Sequence, residues 1–345
     1  MTLATMGDVE PQTHTPGLSH HRVLSALDRT GLPAWLIAFG FWLVMTLVGF
    51  IVLILVRAPD PAYYRNAVAF SAIVAFLILF YFKMGRGWHE DLVDIVSFDQ
   101  SLEKHVPLLV PASMITWLEI VVALISGGVS IVLRPPPVAF YSNPEFWVVL
   151  YFFLVIQFMV IVFCIDLLMR QLLCLTRIAD NIRIDLWQTE FYSTLANPML
   201  RFFGLIIFGL CVITMSYMVF TEGEPSTTQM MVYLMPWYVP SVLLLLLYLV
   251  PYGRFRRRVY VLKQLELNRV GAALAGNPEL MKDSPLAPDQ GQLRMIDLLG
   301  YQDRIRQVRE WPFTDRTRTM VLFGFLPPLT WVIAAFIEIM IEASL

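Results

Sequence analysis

Long apolar runs separated by short polar segments occupy most of this chain. A helix needs roughly 20 apolar residues to cross the hydrocarbon core of a bilayer, and seven stretches reach or approach that length. They are residues 34–56, 66–83, 108–133, 146–170, 203–221, 231–251 and 320–341. The pattern therefore predicts an all-α, polytopic membrane protein with about seven transmembrane helices.

The polar segments between these runs divide the chain into regions. We expect a flexible cytoplasmic segment at 1–33, a six-helix transmembrane region at 34–251, a basic helical cytoplasmic loop at 252–319, and a seventh transmembrane helix with a short outer end at 320–345. The transmembrane region includes a cytoplasmic helical loop at 171–202.

Two cytoplasmic segments carry helical spacing of their own. Apolar residues recur every three or four positions after the fourth span, which predicts an amphipathic extension of that span, and they are Leu172, Leu175, Ile178, Ile182 and Leu186. Asn197-Pro198 predicts a turn before the fifth span. The helix after the sixth span should end near Gly276-Asn277-Pro278, and a second amphipathic helix is expected at about 292–310.

The distribution of positive charge predicts the orientation. All of the 25 lysines and arginines except Arg57, Arg65 and Arg134 lie in one alternate set of loops. Because basic loops stay in the cytoplasm, the N-terminus should be cytoplasmic and the C-terminus outside. That orientation is opposite to the orientation of G-protein-coupled receptors and microbial rhodopsins.

Composition agrees with a membrane location. The chain is 57% hydrophobic and only 15% charged, whereas a soluble domain carries about 25% charged residues. The N-terminal residues lack the basic start and short apolar core of a cleaved signal peptide. The cysteines, which lie in or beside apolar runs, are interpreted as small buried hydrophobes, and they are Cys164, Cys174 and Cys211.

Two short motifs carry a resemblance to known proteins. RIDL stands at 183–186, and REWPF at 309–313 leads into a last apolar run with a central proline. Together they resemble a group of uncharacterised bacterial multi-pass membrane proteins. The resemblance implies a bacterial cytoplasmic (inner) membrane and no particular activity.

Catalytic motifs are missing from the sequence. No zinc-protease helix, nucleophile elbow or phosphate-binding loop is present, and all five histidines fall in predicted cytoplasmic segments. We therefore expect no enzyme activity, no cofactor and no metal site. The expected partners are the lipid bilayer, and beyond it anionic lipid, a second copy or a cytoplasmic protein, with no nucleic acid.

A glutamate near the middle of the third span is the main candidate for chemistry. A charged group within a span is costly and is therefore a functional hypothesis by default. Gln157 should lie at a similar depth in the fourth span, so a hydrogen bond to Glu119 is plausible, and hydrocarbon would favour the protonated carboxyl group. Three interpretations stay open for Glu119: a neutral packing contact, part of an ion or proton path, or a position near the inner surface if the third span begins later.

Other polar groups and prolines suggest supporting roles. Asp166 and Arg170 are spaced for an ion pair at the cytoplasmic interface. Prolines kink membrane helices and often frame solute sites; the candidates are Pro236, Pro240, Pro327 and Pro328. A basic cluster beside the sixth span either contacts anionic lipid or only sets the topology; it comprises Arg254, Arg256, Arg257 and Arg258.

Two functions follow from these observations. The first is a channel or carrier for an ion or small solute, with Glu119 and Gln157 on the transport path. The alternative is a non-transporting sensor or scaffold whose cytoplasmic helices bind a partner protein.

Overall fold

All regular secondary structure in the described part of the chain is helical. A computed structural model describes residues 30–55, 61–98, 117–118, 120–126, 144–186, 191–220, 227–281, 284 and 295–311. The elements are α1 (Ala34–Leu55), α2 (Pro61–Phe98), α3 (Pro144–Asn181), α4 (Phe191–Phe220), α5 (Thr227–Leu274), a 3₁₀ turn (Pro278–Met281) and α6 (Met295–Gln307).

Five of these helices, α1 to α5, are long and apolar enough to cross a membrane. The prediction of an all-α protein with several membrane-spanning helices is therefore confirmed at that level. The predicted span at 320–341 lies outside the described residues, as does most of the span at 108–133. The count of seven spans and the orientation stay predictions.

The directions of the helices follow from contacts between them. The thiol of Cys164 donates to the carbonyl oxygen of Leu77, and the amide of Gln171 donates to that of Met84. Both pairs are 87 positions apart, so α2 and α3 run parallel. The end of α2 and the start of α3 therefore lie at opposite ends of the bundle. The predicted third span, which lies between them in sequence, would connect these two ends.

Helices α1 and α4 run opposite to α2. The pairs that show this are Leu32–Arg86, Phe50–Tyr64, Phe76–Phe208 and Phe80–Phe202. Helix α5 runs parallel to α3, because Tyr248 contacts Gln171 and Arg258 contacts Ala179 further along both helices. All five directions agree with the alternation predicted from the apolar runs.

Helix α2 is the centre of the bundle, although its apolar run at 66–83 is short. Its apolar window is 72% buried, compared with 28% for α1 and for α5, because α1, α3 and α4 all pack against it. In a bilayer such packing depends on close contact between side chains. The helix is longer than this run, since the polar residues that follow the run remain helical as far as Phe98.

The turn predicted at Asn197-Pro198 is wrong, because α4 is helical from Phe191 through Pro198 and onward. Proline removes one backbone hydrogen bond from a helix interior. The apolar residues around it, Leu195, Met199 and Phe202, are all buried against neighbouring helices. We attribute the continuous helix to this packing, which outweighs the local preference for a turn.

Helices α2 to α5 all extend past the inner boundaries of their predicted spans, into the region that the sequence predicts to be cytoplasmic. Helix α3 continues to Asn181, which confirms the predicted extension of the fourth span. Helix α5 ends where the sequence predicted: Gly276 has a φ of 94°, its amide donates to Ala273, and the Asn277 amide donates to Ala272. This is the Schellman arrangement, in which a residue without Cβ adopts the left-handed conformation.

The predicted second amphipathic helix is α6, which packs beside the end of α5. Lys263 of α5 donates to the carbonyl oxygens of Arg306 and Val308 at 3.0 and 2.9 Å. A small separate core of Val270, Met281, Leu298, Tyr301 and Ile305 lies between the two helices. The residues after α5 therefore fold back onto it.

The cysteines differ from the prediction at one position. Cys164 and Cys174 are buried, as expected for small hydrophobes, but Cys211 is exposed on α4. Its neighbour one turn earlier, Phe208, is exposed as well. An apolar run looks the same in sequence whether a side chain faces another helix or lipid, and the buried interpretation of Cys211 was therefore wrong.

Candidate functional sites

Gln157 is a buried amide in the interior of the bundle. Its side chain is on the face of α3 that also carries Cys164 and Gln171, both of which bond to α2. The residue is only 4% exposed, and its Oε1 accepts no hydrogen bond from any described residue. Among the described residues, this buried acceptor has no donor, and it lies at the position that the sequence singled out.

Glu119 lies outside the described residues, but residues close to it in sequence are described. The Tyr151 phenol donates to the carbonyl oxygen of Leu124 at 3.3 Å. Leu124 is five residues after Glu119, and Tyr151 is six residues before Gln157. The described part of the third apolar run therefore contacts the start of α3.

A second polar group lies on the same face of α3, two heptads beyond Gln157. The Gln171 amide donates to the Met84 carbonyl at 3.1 Å and accepts from the Tyr248 phenol at 3.2 Å. Gln171 is 1% exposed and Tyr248 2%. Gln171 thus links α2, α3 and α5 at the cytoplasmic end of the bundle. Sequence analysis missed it, although the 14-residue spacing from Gln157 keeps it on one helix face.

A partly buried ion pair joins α2 and α4 near this level. Arg201 Nη1 lies 2.8 Å from Asp91 Oδ2, and Asp91 is 3% exposed. The guanidinium group crosses α2 at Gly87, where an added Cβ would lie 1.8 Å from Arg201 Cζ. Sequence analysis missed this pair because Asp91 was assigned to a loop rather than to the central helix.

The predicted pair at the inner end of the fourth span is formed in the structure. Arg170 Nε lies 2.8 Å from Asp166 Oδ2, one helical turn away on α3. Both side chains are partly buried. Spacing at i,i+4 with the acid first is the favourable order on a helix.

The four basic residues after the sixth span have separate environments. Arg258 donates to the carbonyl oxygens of Ala179 and Ile182 at the end of α3. Arg256 lies 3.7 Å from Glu310 and stacks over Trp311.

Arg254, Arg256 and Arg257 are the exposed members of this cluster. Arg254 forms a mostly exposed pair with Asp180 at 2.9 Å. Arg257 is exposed and has no ion pair with the described residues.

The kink candidates are placed only in part. Helix α5 is assigned as one helix through both Pro236 and Pro240, and Pro240 is exposed on its surface. Pro327 and Pro328 lie outside the described residues. The described bundle therefore contains two of the four candidate prolines, on one helix.

A shallow groove lies on the surface of α5, beyond the predicted sixth span. It is open to the surroundings, has a volume of about 410 Å³ and lies beside α5 and the 3₁₀ turn. The groove is lined by Tyr260, Val261, Gln264, Leu265, Asn268, Arg269 and Leu280. Four of these seven are exposed large apolar side chains, which is unusual for a solvated helix surface. Sequence analysis did not identify this groove.

A buried carboxylate of α5, Glu266, bonds to α6 and to the segment before it. Glu266 is 4% exposed and accepts from Ser284 at 2.8 Å, from Tyr301 at 3.4 Å and from Arg269 at 2.5 Å. Burial raises the pKa of the Tyr301 phenol; a hydrogen bond with Ser284 lowers it and the charge of Glu266 raises it further. The cluster connects three segments of the cytoplasmic region.

Comparison with protein-family models, with curated proteins and with solved structures finds no match. The class of the protein therefore rests on its own architecture. It is a helical membrane protein with several long apolar helices, a few buried polar side chains in a mostly apolar core, and a helical region beyond the apolar part of the bundle.

Proposed function

We propose that this protein is a channel or carrier for an ion or small solute in a bacterial cytoplasmic membrane, with Glu119 and Gln157 as the polar site. The observation that carries this proposal is the buried Oε1 of Gln157. A buried acceptor without a donor costs about 1–3 kcal/mol. A protonated carboxyl group, a water molecule or a passing solute would satisfy it.

The contact between Leu124 and Tyr151 supports pairing of these two residues. In two antiparallel helices joined at this contact, a residue five positions before Leu124 and a residue six positions after Tyr151 lie at similar depths. Glu119 and Gln157 are that far from the contact in sequence. In this arrangement Gln157 Oε1 accepts a hydrogen bond from the protonated Glu119 carboxyl group, or it coordinates a cation that replaces that proton.

The moving elements in this proposal are the proline-containing helices. Prolines within membrane helices leave backbone carbonyl groups unpaired, and such positions often border solute paths. Pro236 and Pro240 are in α5, which contacts both α3 and α4. We assign Pro327 and Pro328 the same role in the last apolar run.

The test is flux through proteoliposomes containing the full chain, across several cations and anions and with a pH gradient. Glu119→Gln and Gln157→Leu should each reduce flux at least tenfold without loss of folding. Ser216→Ala is the matched control, because Ser216 is also buried but already donates to its own helix at Val212. Absence of flux in the wild type, or normal flux in both site variants, would refute the proposal.

The groove on α5 favours a second candidate function. A non-transporting sensor or scaffold needs a cytoplasmic surface that binds a partner, and the groove is an exposed apolar surface of that kind. A protein with no flux and a specific ligand in the groove would fit this function better than transport.

A further inference from the structure

One face of α5 stays exposed from the membrane region into the cytoplasmic region. Leu243 and Val250 are exposed within the predicted sixth span, where an apolar face contacts lipid. Arg254 and Arg257 follow on that face at helical spacing, where headgroups would lie. Exposed apolar side chains occur again on this face from Val261 onward.

Lipid does not account for this second apolar segment. Where it leaves the predicted span, α5 remains bound to α3, because Arg258 donates to the carbonyl oxygens of Ala179 and Ile182. Leu265 is fourteen residues past Pro251, which is roughly 21 Å at 1.5 Å per residue. That distance exceeds the thickness of one headgroup layer, so the groove is in water.

The residues that line the groove suit an amphipathic helix. Val261 and Leu265 of α5 and Leu280 of the 3₁₀ turn line it with exposed aliphatic side chains. Gln264 and Asn268, one turn apart, place amide groups along it. An amphipathic helix binds such a groove through apolar residues at i, i+3 or i+4, and i+7.

The charges around the groove select the partner. Arg254 and Arg257 stand at its membrane-proximal end, and the Arg254–Asp180 pair is exposed enough to exchange partners at little cost. In a symmetric parallel pair of copies joined through this face, the arginines of both chains would oppose each other, which is repulsive. An acidic partner would instead be attracted.

We propose that this groove binds an acidic amphipathic helix of a cytoplasmic protein, with its apolar side chains on Val261 and Leu265 and its carboxylates opposite Arg254 and Arg257. The inference rests on the second candidate function and names the chemistry of its partner. It does not depend on Glu119 or Gln157.

The test uses the full chain in nanodiscs of zwitterionic lipid and two fluorescent synthetic helices. One peptide has leucines at i, i+4, i+7 and i+11 with glutamates elsewhere, and the other has lysines in place of the glutamates. Anisotropy should show at least tenfold tighter binding of the acidic peptide, weakened by added salt. Equal affinity for the two peptides would overturn the proposal.

Matched variants locate the binding surface. Val261→Asp should weaken the acidic peptide at least tenfold, whereas Val93→Asp should not, since Val93 of α2 is exposed to the same degree, at 54% against 52%. The double variant Arg254→Glu with Arg257→Glu should reverse the preference towards the lysine peptide. Arg306→Glu, an exposed arginine of α6, should leave it unchanged.

Other occupants of the groove would give different results, each of which overturns the proposal. A particle mass of two chains that Val261→Asp reduces to one indicates a second copy. Binding of anionic-lipid vesicles that depends on Val261, without peptide binding, indicates lipid. The flux of the Val261→Asp variant keeps the two functions separate, since loss of the groove should leave transport through Glu119 and Gln157 intact.

Discussion

Gly87 shows how one small residue admits a charged group between packed helices. The Arg201 guanidinium occupies the space that a Cβ at Gly87 would take, and Asp91, one turn further along α2, neutralises it. Removing one partner of a buried ion pair leaves an uncompensated charge and costs several kcal/mol. The glycine therefore supports the ion pair as well as the helix packing.

Substitution of this glycine should be costly. Gly87→Ala displaces the guanidinium from Asp91, and we expect a loss of about 2 kcal/mol in the free energy of unfolding after the gain of up to ~1 kcal/mol in helix propensity. Gly204→Ala is the matched control, since no atom lies within 4 Å of its added Cβ, and it should be neutral or stabilising. Thermal unfolding in detergent measures both; equal stability of the two variants would contradict the role of Gly87.

The residue-scale features divide by whether their partners are close in sequence. Asp166 and Arg170 are one turn apart, and their pair was predicted from spacing alone. Asp91 and Arg201 are 110 positions apart, and no local pattern relates them. Gln157 is an intermediate case, because its depth was predictable but its lack of a donor among the described residues was not.

Helix α5 combines two elements that the sequence presented separately. It spans 48 residues, from four residues before the predicted sixth span to the Schellman turn at Gly276. The helix contacts α3 and α4, and its part beyond the predicted span carries the groove and the Glu266 cluster. One continuous helix therefore joins the apolar bundle to the α6 region.

The Glu266 cluster predicts how the α5–α6 contact responds to alkaline pH. The pKa of Tyr301 is raised above its ordinary value of about 10, so its contribution to stability is intact below that pH. The contribution is lost as the pH rises through the raised pKa, because ionised Tyr301 faces the Glu266 carboxylate. As the pH rises above about 10, hydrogen exchange of α6 in nanodiscs should therefore accelerate more steeply in the wild type than in Tyr301→Phe. Identical pH profiles would contradict this coupling.

The helices that cross the predicted membrane region also build the region beyond its predicted inner boundary. Helices α2, α3 and α5 run in one direction and α1 and α4 in the other, and all of these except α1 extend past that boundary. The basic residues concentrate at the extended ends. By the distribution of positive charge, this end of the bundle is predicted to be the cytoplasmic one.

Cysteine labelling tests this orientation directly. In a Cys211→Ala background, Leu299→Cys on α6 and Val93→Cys on α2 should react with an impermeant maleimide only after the cells are permeabilised, since both side chains are exposed at the end predicted to be cytoplasmic. Ala58→Cys, in a predicted outer loop, should react in intact cells. The opposite pattern would invert the topology and place the α5 groove outside.

The sequence by itself determined the helical class, the positions of the five described apolar helices, the end of α5 and the existence of α6. These features depend on apolar length, helical spacing and a glycine at a helix end, all of which are local. Tertiary structure alone decided that α2 is central, that Pro198 stays within α4, that Cys211 is exposed, and that Asp91 meets Arg201. The reason is physical: burial and partnership depend on which helices pack together, and contacts between residues distant in sequence decide that.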